Sequence, residues 1–136
     1  MTPQADSMPR AFLVRQIGRV ENDHDTPAPP AEIRAARSRI VMDEAYADGL
    51  WRLEESERIL VVFYFDRSEA APLRVRRRFD NQEAGVFASH SPQRPNFIGV
   101  TEVRLLARHG AVLEVEGLDA LNGSPVLDLK PSFQHK

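Results

Sequence analysis

The chain has 136 residues and nearly balanced charge, 18 basic against 20 acidic. Its length suits one ordinary domain, and the balance excludes a protein that coats nucleic acid through bulk charge. Cysteine is absent, so disulfides, thiolate metal sites and a cysteine nucleophile are excluded as well.

Residues 1 to 11 read as a flexible arm and residues 12–136 as the folded domain. Met1 to Arg10 lacks the apolar core and small-residue cleavage pattern of a secretory signal. Phe12 to Val20 alternates enough apolar residues for a first strand. Asn22 to Pro30 packs three prolines among turn formers and is a loop. Arg37 to Met42 is a second strand. Asp43 then stands where an N-cap belongs, and Glu44 to Leu50 fits a short helix.

Ile59 to Phe65 is the strongest strand signal, with six β-branched or aromatic residues in seven. It is apolar on both faces, which places it centrally in the sheet. It is also the longest apolar run, too short to span a membrane. A cytoplasmic protein without a membrane partner is expected.

Leu73 to Phe79 alternates with arginine and reads as a solvent-facing strand. Arg74, Arg76, Arg77 and Arg78 make it locally basic. Gly85 to Ala88 begins another strand. Pro92 and Pro95 exclude regular structure over Ser91 to Gly99. Val100 to Ala107 and Ala111 to Gly117 form a hairpin across Arg108-His109-Gly110. Asp119 to Pro125 is a turn-rich loop, and Val126 to Leu129 is a last short strand. Many short strands with frequent turns predict an all-β fold: a small closed or partly open barrel with one short helix.

No Gly-x-Gly-x-x-Gly follows a strand, which argues against a Rossmann-type nucleotide site. His24, His90, His109 and His135 lack ligand-like spacing, so no metal site is expected. What stands out is residues 85–99, Gly-Val-Phe-Ala-Ser-His-Ser-Pro-Gln-Arg-Pro-Asn-Phe-Ile-Gly. A stiff loop of this kind either presents amides and polar side chains in fixed geometry or serves as a structural turn.

This segment resembles a motif of the TrmO (YaeB-like) tRNA methyltransferases, Gly-Val-Phe-Ala-Thr-Arg-Ser-Pro-x-Arg-Pro-Asn-Pro-Ile-Gly. Residues 117–131, Gly-Leu-Asp-Ala-Leu-Asn-Gly-Ser-Pro-Val-Leu-Asp-Leu-Lys-Pro, resemble the family's second motif almost throughout. Ile17 to Val20 and Leu60 to Phe65 also look like family elements.

The resemblance implies a β-barrel, often dimeric, that binds S-adenosylmethionine. It implies methylation of the exocyclic N6 of threonylcarbamoyl-adenosine beside the tRNA anticodon. The alternative is an S-adenosylmethionine-binding module or regulator without tRNA methylation activity. By matching positions, one cofactor segment is Phe65, Asp66 and Arg67. A second comprises His90, Ser91, Pro92, Arg94, Asn96, Ile98, Gly99 and Val100. A third comprises Asp119, Leu121, Asn122, Gly123, Ser124, Pro125 and Val126.

Asp66 and Asp119 are the candidate catalytic carboxylates, because an acceptor for the adenine amino hydrogen assists methyl transfer. Asn122-Gly123 serves equally as a tight turn. Arg94 either binds an anion or braces its own loop. The chain departs from the family at His90 (arginine in the motif), at Phe97 (proline), and at Glu21 to His24, where the family has Ser-Pro-Phe/Tyr.

Overall fold

The computed structural model describes residues 9–133. Six strands close into one antiparallel barrel: β1 (Gly18–Glu21), β2 (Arg37–Met42), β3 (Arg58–Tyr64), β6 (Ile98–His109), β7 (Val112–Glu116) and β8 (Pro125–Pro131). Around the barrel they run β1-β2-β7-β6-β3-β8, with β8 returning to β1. Closure leaves these strands no free edge. A small separate ribbon pairs β4 (Arg74–Arg76) with β5 (Glu83–Gly85).

The interior follows from period-two alternation. On β3, Ile59, Val61 and Phe63 are buried while the residues between them are not. Ile40 and Met42 on β2, Leu113 and Val115 on β7, and Val20 and Val126 meet them in the core. β3 does lie between two neighbours, β6 and β8. In a closed barrel so does every strand, and its outward Leu60 and Val62 remain half-buried.

Several elements differ from the sequence expectation. The first strand begins only at Gly18, because pairing with Met42 and Val126 starts there. Phe12, Leu13 and Val14 are exposed instead. An α-helix, α1 (Pro30–Ala35), follows the proline-rich loop, with its proline in the first turn where no amide partner is needed. Glu44–Leu50 is helical as expected, but wound as a 3-10 helix, and the Asp43 carboxylate caps it by accepting from the Ala45 amide at 3.0 Å. Of Leu73 to Phe79 only three residues pair as strand, and Val86–Ala88 is a 3-10 turn.

The β6–β7 connection is a two-residue turn, Gly110-Ala111, closing on the pair His109 and Val112. Gly110 has φ +62°, which glycine supplies without strain. Beside this turn Arg108 clasps Glu54 with hydrogen bonds of 2.8 to 3.1 Å, and this contact holds the Glu54 carboxyl below its ordinary value.

Candidate functional site

Antiparallel pairing decides which loops meet. Phe63 near the end of β3 pairs with Gly99 near the start of β6 and with Val126 at the start of β8. The register of β8 slips beside this point, between Val62 and Phe63. Such bulges re-aim side chains at barrel rims. The segments after β3, before β6 and before β8 are therefore neighbours, although they lie far apart in sequence.

Here a depression of about 510 Å³ opens along β6. Phe65, His90, Arg94, Ile98, Gly99, Val100 and Asp119 line it, all named from the sequence. Phe63, Phe87, Ser89, Thr101 and Glu102 complete it and were not. Alternation would have found three of them, since Phe63, Thr101 and Glu102 each stand two residues from a named position and so share its strand face.

Gly99 is a packing requirement. A Cβ there would sit 2.6 Å from Phe65 Cζ and 2.7 Å from Phe63 Cζ. The two rings meet edge-on at 5.1 Å between centroids. The second motif joins this wall through Asp119, whose Oδ1 accepts the Thr101 hydroxyl at 2.5 Å. Leu118 and Ala120 flank it and are fully buried, so the loop is anchored while Asp119 stays exposed.

The loop of residues 89–97 is braced from within. Arg94 Nη1 donates to the carbonyls of Ser89 and Ser91 at 3.0 and 3.2 Å. Bracing and lining the depression thus coexist at Arg94. Phe97 adopts φ +52°, a genuine outlier for a bulky residue. Its carbonyl accepts the Phe65 amide at 2.7 Å, and Tyr64 packs edge-on against its ring. Proline, the motif residue, is locked near −65° and cannot take this conformation.

The remaining named residues form a second group. Arg67 donates to the Asn122 carbonyl, tying the β3 exit to the second motif. Asn122 and Gly123 do form a turn, and Gly123 has φ +89°. Leu121 is half-buried and its carbonyl accepts the Ser124 amide. Ser124 and Val126 are buried, and Pro125 opens β8. Asp66 lies exposed in the turn beyond Phe65, outside the lining, and Pro92 and Asn96 are exposed likewise. Ser91 caps its own turn by accepting the Gln93 amide at 3.1 Å.

Glu21 to His24 turns out to support the second motif. Asn22 donates from its amide to Asn122 Oδ1, and from Nδ2 to the Ala120 carbonyl and the Ser38 hydroxyl, each at 3.0 Å.

The lining suits a cationic, partly aromatic small molecule. Its volume lies in the range of small-molecule sites. Phe65 and Phe87 offer ring faces, while Asp119 and Glu102 supply two carboxylates against the single guanidinium of Arg94. This residue set fits S-adenosylmethionine, whose adenine, ribose hydroxyls and sulfonium call for those groups.

Comparison with known proteins agrees. The chain is 38% identical over 121 residues to a protein of Archaeoglobus fulgidus named as a probable S-adenosyl-L-methionine-binding protein, covering 87% of this chain and 33% of that one. It is 33% identical over 85 residues to human tRNA (adenine(37)-N6)-methyltransferase, covering 60% and 19%. The crystal structure of TrmO from Pseudomonas aeruginosa superposes with a TM-score of 0.70 at 30% identity, covering 90% of this chain and 56% of that one. The chain thus spans one third of the first relative and just over half of the TrmO structure. Residues 18–136 match the tRNA-methyltransferase O N-terminal domain, and the chain belongs to that family.

Proposed function

We propose that this chain binds S-adenosylmethionine in the depression along β6 and methylates tRNA at the exocyclic N6 of threonylcarbamoyl-adenosine beside the anticodon. The observation that carries this reading is the meeting of the two motif segments at one wall, where Asp119 hydrogen-bonds Thr101 beside Gly99. Family membership and the names of the relatives support the reaction type.

When bound, the cofactor supplies an electrophilic methyl group on a positively charged sulfur. The chain's own residues do the rest. Asp119 would offer that charge a carboxylate, with lone pairs to spare for ribose hydroxyls beyond the Thr101 bond. Glu102, which already accepts the Ser132 hydroxyl at 2.8 Å, would add a second negative charge to the lining. Phe65 and Phe87 flank the ligand and displace water, and the braced 89–97 loop fixes the approach of the acceptor. The adenine amino group is a weak nucleophile, so a carboxylate that accepts its hydrogen assists attack. Asp119, in the lining, is the candidate for such a role, and Asp66, exposed in the turn beyond Phe65, lies outside the lining.

Two measurements test the proposal: calorimetry with S-adenosylmethionine in the presence of a chelator, and mass spectrometry of tRNA nucleosides after incubation with cofactor. We expect binding without metal and one methyl group added to threonylcarbamoyl-adenosine. Binding without any methylated nucleoside would identify a cofactor-binding module instead. Absence of binding would overturn both readings.

A homodimer in the cytoplasm completes the proposal. Phe12, Leu13 and Val14 expose consecutive apolar side chains, Leu13 at 98%, and a second copy covers such a patch economically. Among the described residues no helix is long and apolar enough to cross a membrane. Light scattering should return twice the chain mass at micromolar protein, and a monomer would refute the dimer.

A further inference from the structure

The β4–β5 ribbon lies outside the barrel, and the proposed reaction has so far given it no role. It carries Arg74, Arg76, Arg77 and Arg78 within five residues, against Asp80 and Glu83. In a chain of net charge −2 this is a concentrated positive patch. Arg74 and Arg76 share one face of the strand and are exposed, while Val75 between them is half-buried.

Two of the arginines serve the ribbon itself. Arg77 pairs with Asp80 at 2.5 Å, donates to the Ala88 carbonyl at 3.3 Å and lies 4.6 Å over the Phe79 ring. Arg76 donates to the Asn81 carbonyl at 2.7 Å, holding the tip where Asn81 has φ +57°. The other two are available to a partner. Among the described residues Arg74 has only an exposed pair with Glu83 at 3.3 Å, of a kind that contributes little. Arg78 is exposed and makes no ion pair among the described residues.

Aromatic rings accompany the charge. Phe79 is 71% exposed and Phe87 is 77% exposed. The return strand β5 runs directly into Val86–Ala88 and then into Ser89 and His90, which line the depression. Phe87 belongs to both the ribbon's base and the depression. Guanidinium groups interleaved with exposed rings, continuous with a small-molecule site, match a flexible polyanion with stackable bases.

We infer that the β4–β5 ribbon is an RNA-binding arm, with Arg74 and Arg78 holding phosphates next to the nucleotide presented to the depression. The inference rests on the proposed RNA methylation and names the element that grips its substrate.

The test uses the full chain with Arg74→Gln/Arg78→Gln, and an anticodon stem-loop RNA titrated across salt concentration. Loss of two phosphate contacts should weaken binding about tenfold at low salt and flatten the log–log salt dependence by about 1.4. The heat of S-adenosylmethionine binding should stay unchanged. Arg74→Lys/Arg78→Lys keeps both charges and should keep the steep salt dependence.

Unchanged RNA affinity and slope in the glutamine variant would overturn the inference. So would absence of RNA binding by the parent chain. It would fall equally if the glutamine variant lost only its affinity for phosphatidylserine vesicles, or only its dimer. If the parent binds RNA through the ribbon but transfers no methyl group, the reaction proposal fails and the arm stands.

Discussion

Gly99→Ala is expected to lower stability by about 1–3 kcal/mol, the usual effect of inserting a methyl group into a filled interior. The new Cβ would meet the ends of two rings, Phe65 at 2.6 Å and Phe63 at 2.7 Å. Phe63 is 1% exposed and has nowhere to go, whereas Phe65 is half-buried and can swing. The displaced Phe65 ring then moves within the depression it lines, so cofactor affinity falls along with stability. Gly49→Ala is the matched control, because a Cβ there meets nothing within 4 Å. Denaturant unfolding and cofactor calorimetry on both variants check this. Equal stability of the two would show that the barrel rim adapts freely and that Gly99 is no packing requirement.

Asp119→Asn should act in the opposite way, with a large effect on binding and almost none on folding. The side chain is exposed and accepts a hydrogen bond from the Thr101 hydroxyl. An amide oxygen accepts that hydrogen bond equally well, so stability should stay within about 0.5 kcal/mol of the parent. The charge is lost, and with it a charge-assisted hydrogen bond to the cofactor of about 1.5–3 kcal/mol. Cofactor affinity should drop roughly ten- to a hundredfold, and methyl transfer with it. Calorimetry and thermal unfolding together check the pair of outcomes. Wild-type affinity in the variant would remove Asp119 from the site, and a large loss of stability would recast it as structural.

The two motifs were legible because each keeps its short-range chemistry. Pro92 and Pro95 keep the chain out of a strand up to Phe97, although β6 already begins at Ile98, inside the stretch expected to be irregular, because Tyr64 and Phe63 offer it their backbone. Asn122-Gly123 turns wherever it stands. The capping role of Asp43 was legible for the same reason, since its hydrogen bond closes within two residues. Other local signals were misleading. Phe12 to Val14 has a strand-like composition yet is exposed, because a strand exists only where a partner offers its backbone, and pairing begins at Gly18. Helix α1 was hidden behind a run of prolines that reads as loop until one of them is placed in a first turn.

The site itself divides along the same line. Phe65, Gly99 and Asp119 could be named from their segments, but their shared wall could not. It exists because Phe63 pairs with Gly99 on one side and Val126 on the other. Asn22 shows the limit most clearly: its side chain fastens Ala120 and Ser38, at separations of 98 and 16 residues. No periodicity encodes a bond of that span. By itself the sequence determined the alternation that makes an all-β interior, the turns that interrupt it and the residue chemistry of two loops. All three rest on local backbone preference and side-chain type. Strand order, barrel closure, the depression along β6 and the placement of an arginine-rich ribbon beside it were decided only by the tertiary structure. They depend on which strands exchange hydrogen bonds, and that choice follows from burial of the whole apolar set together.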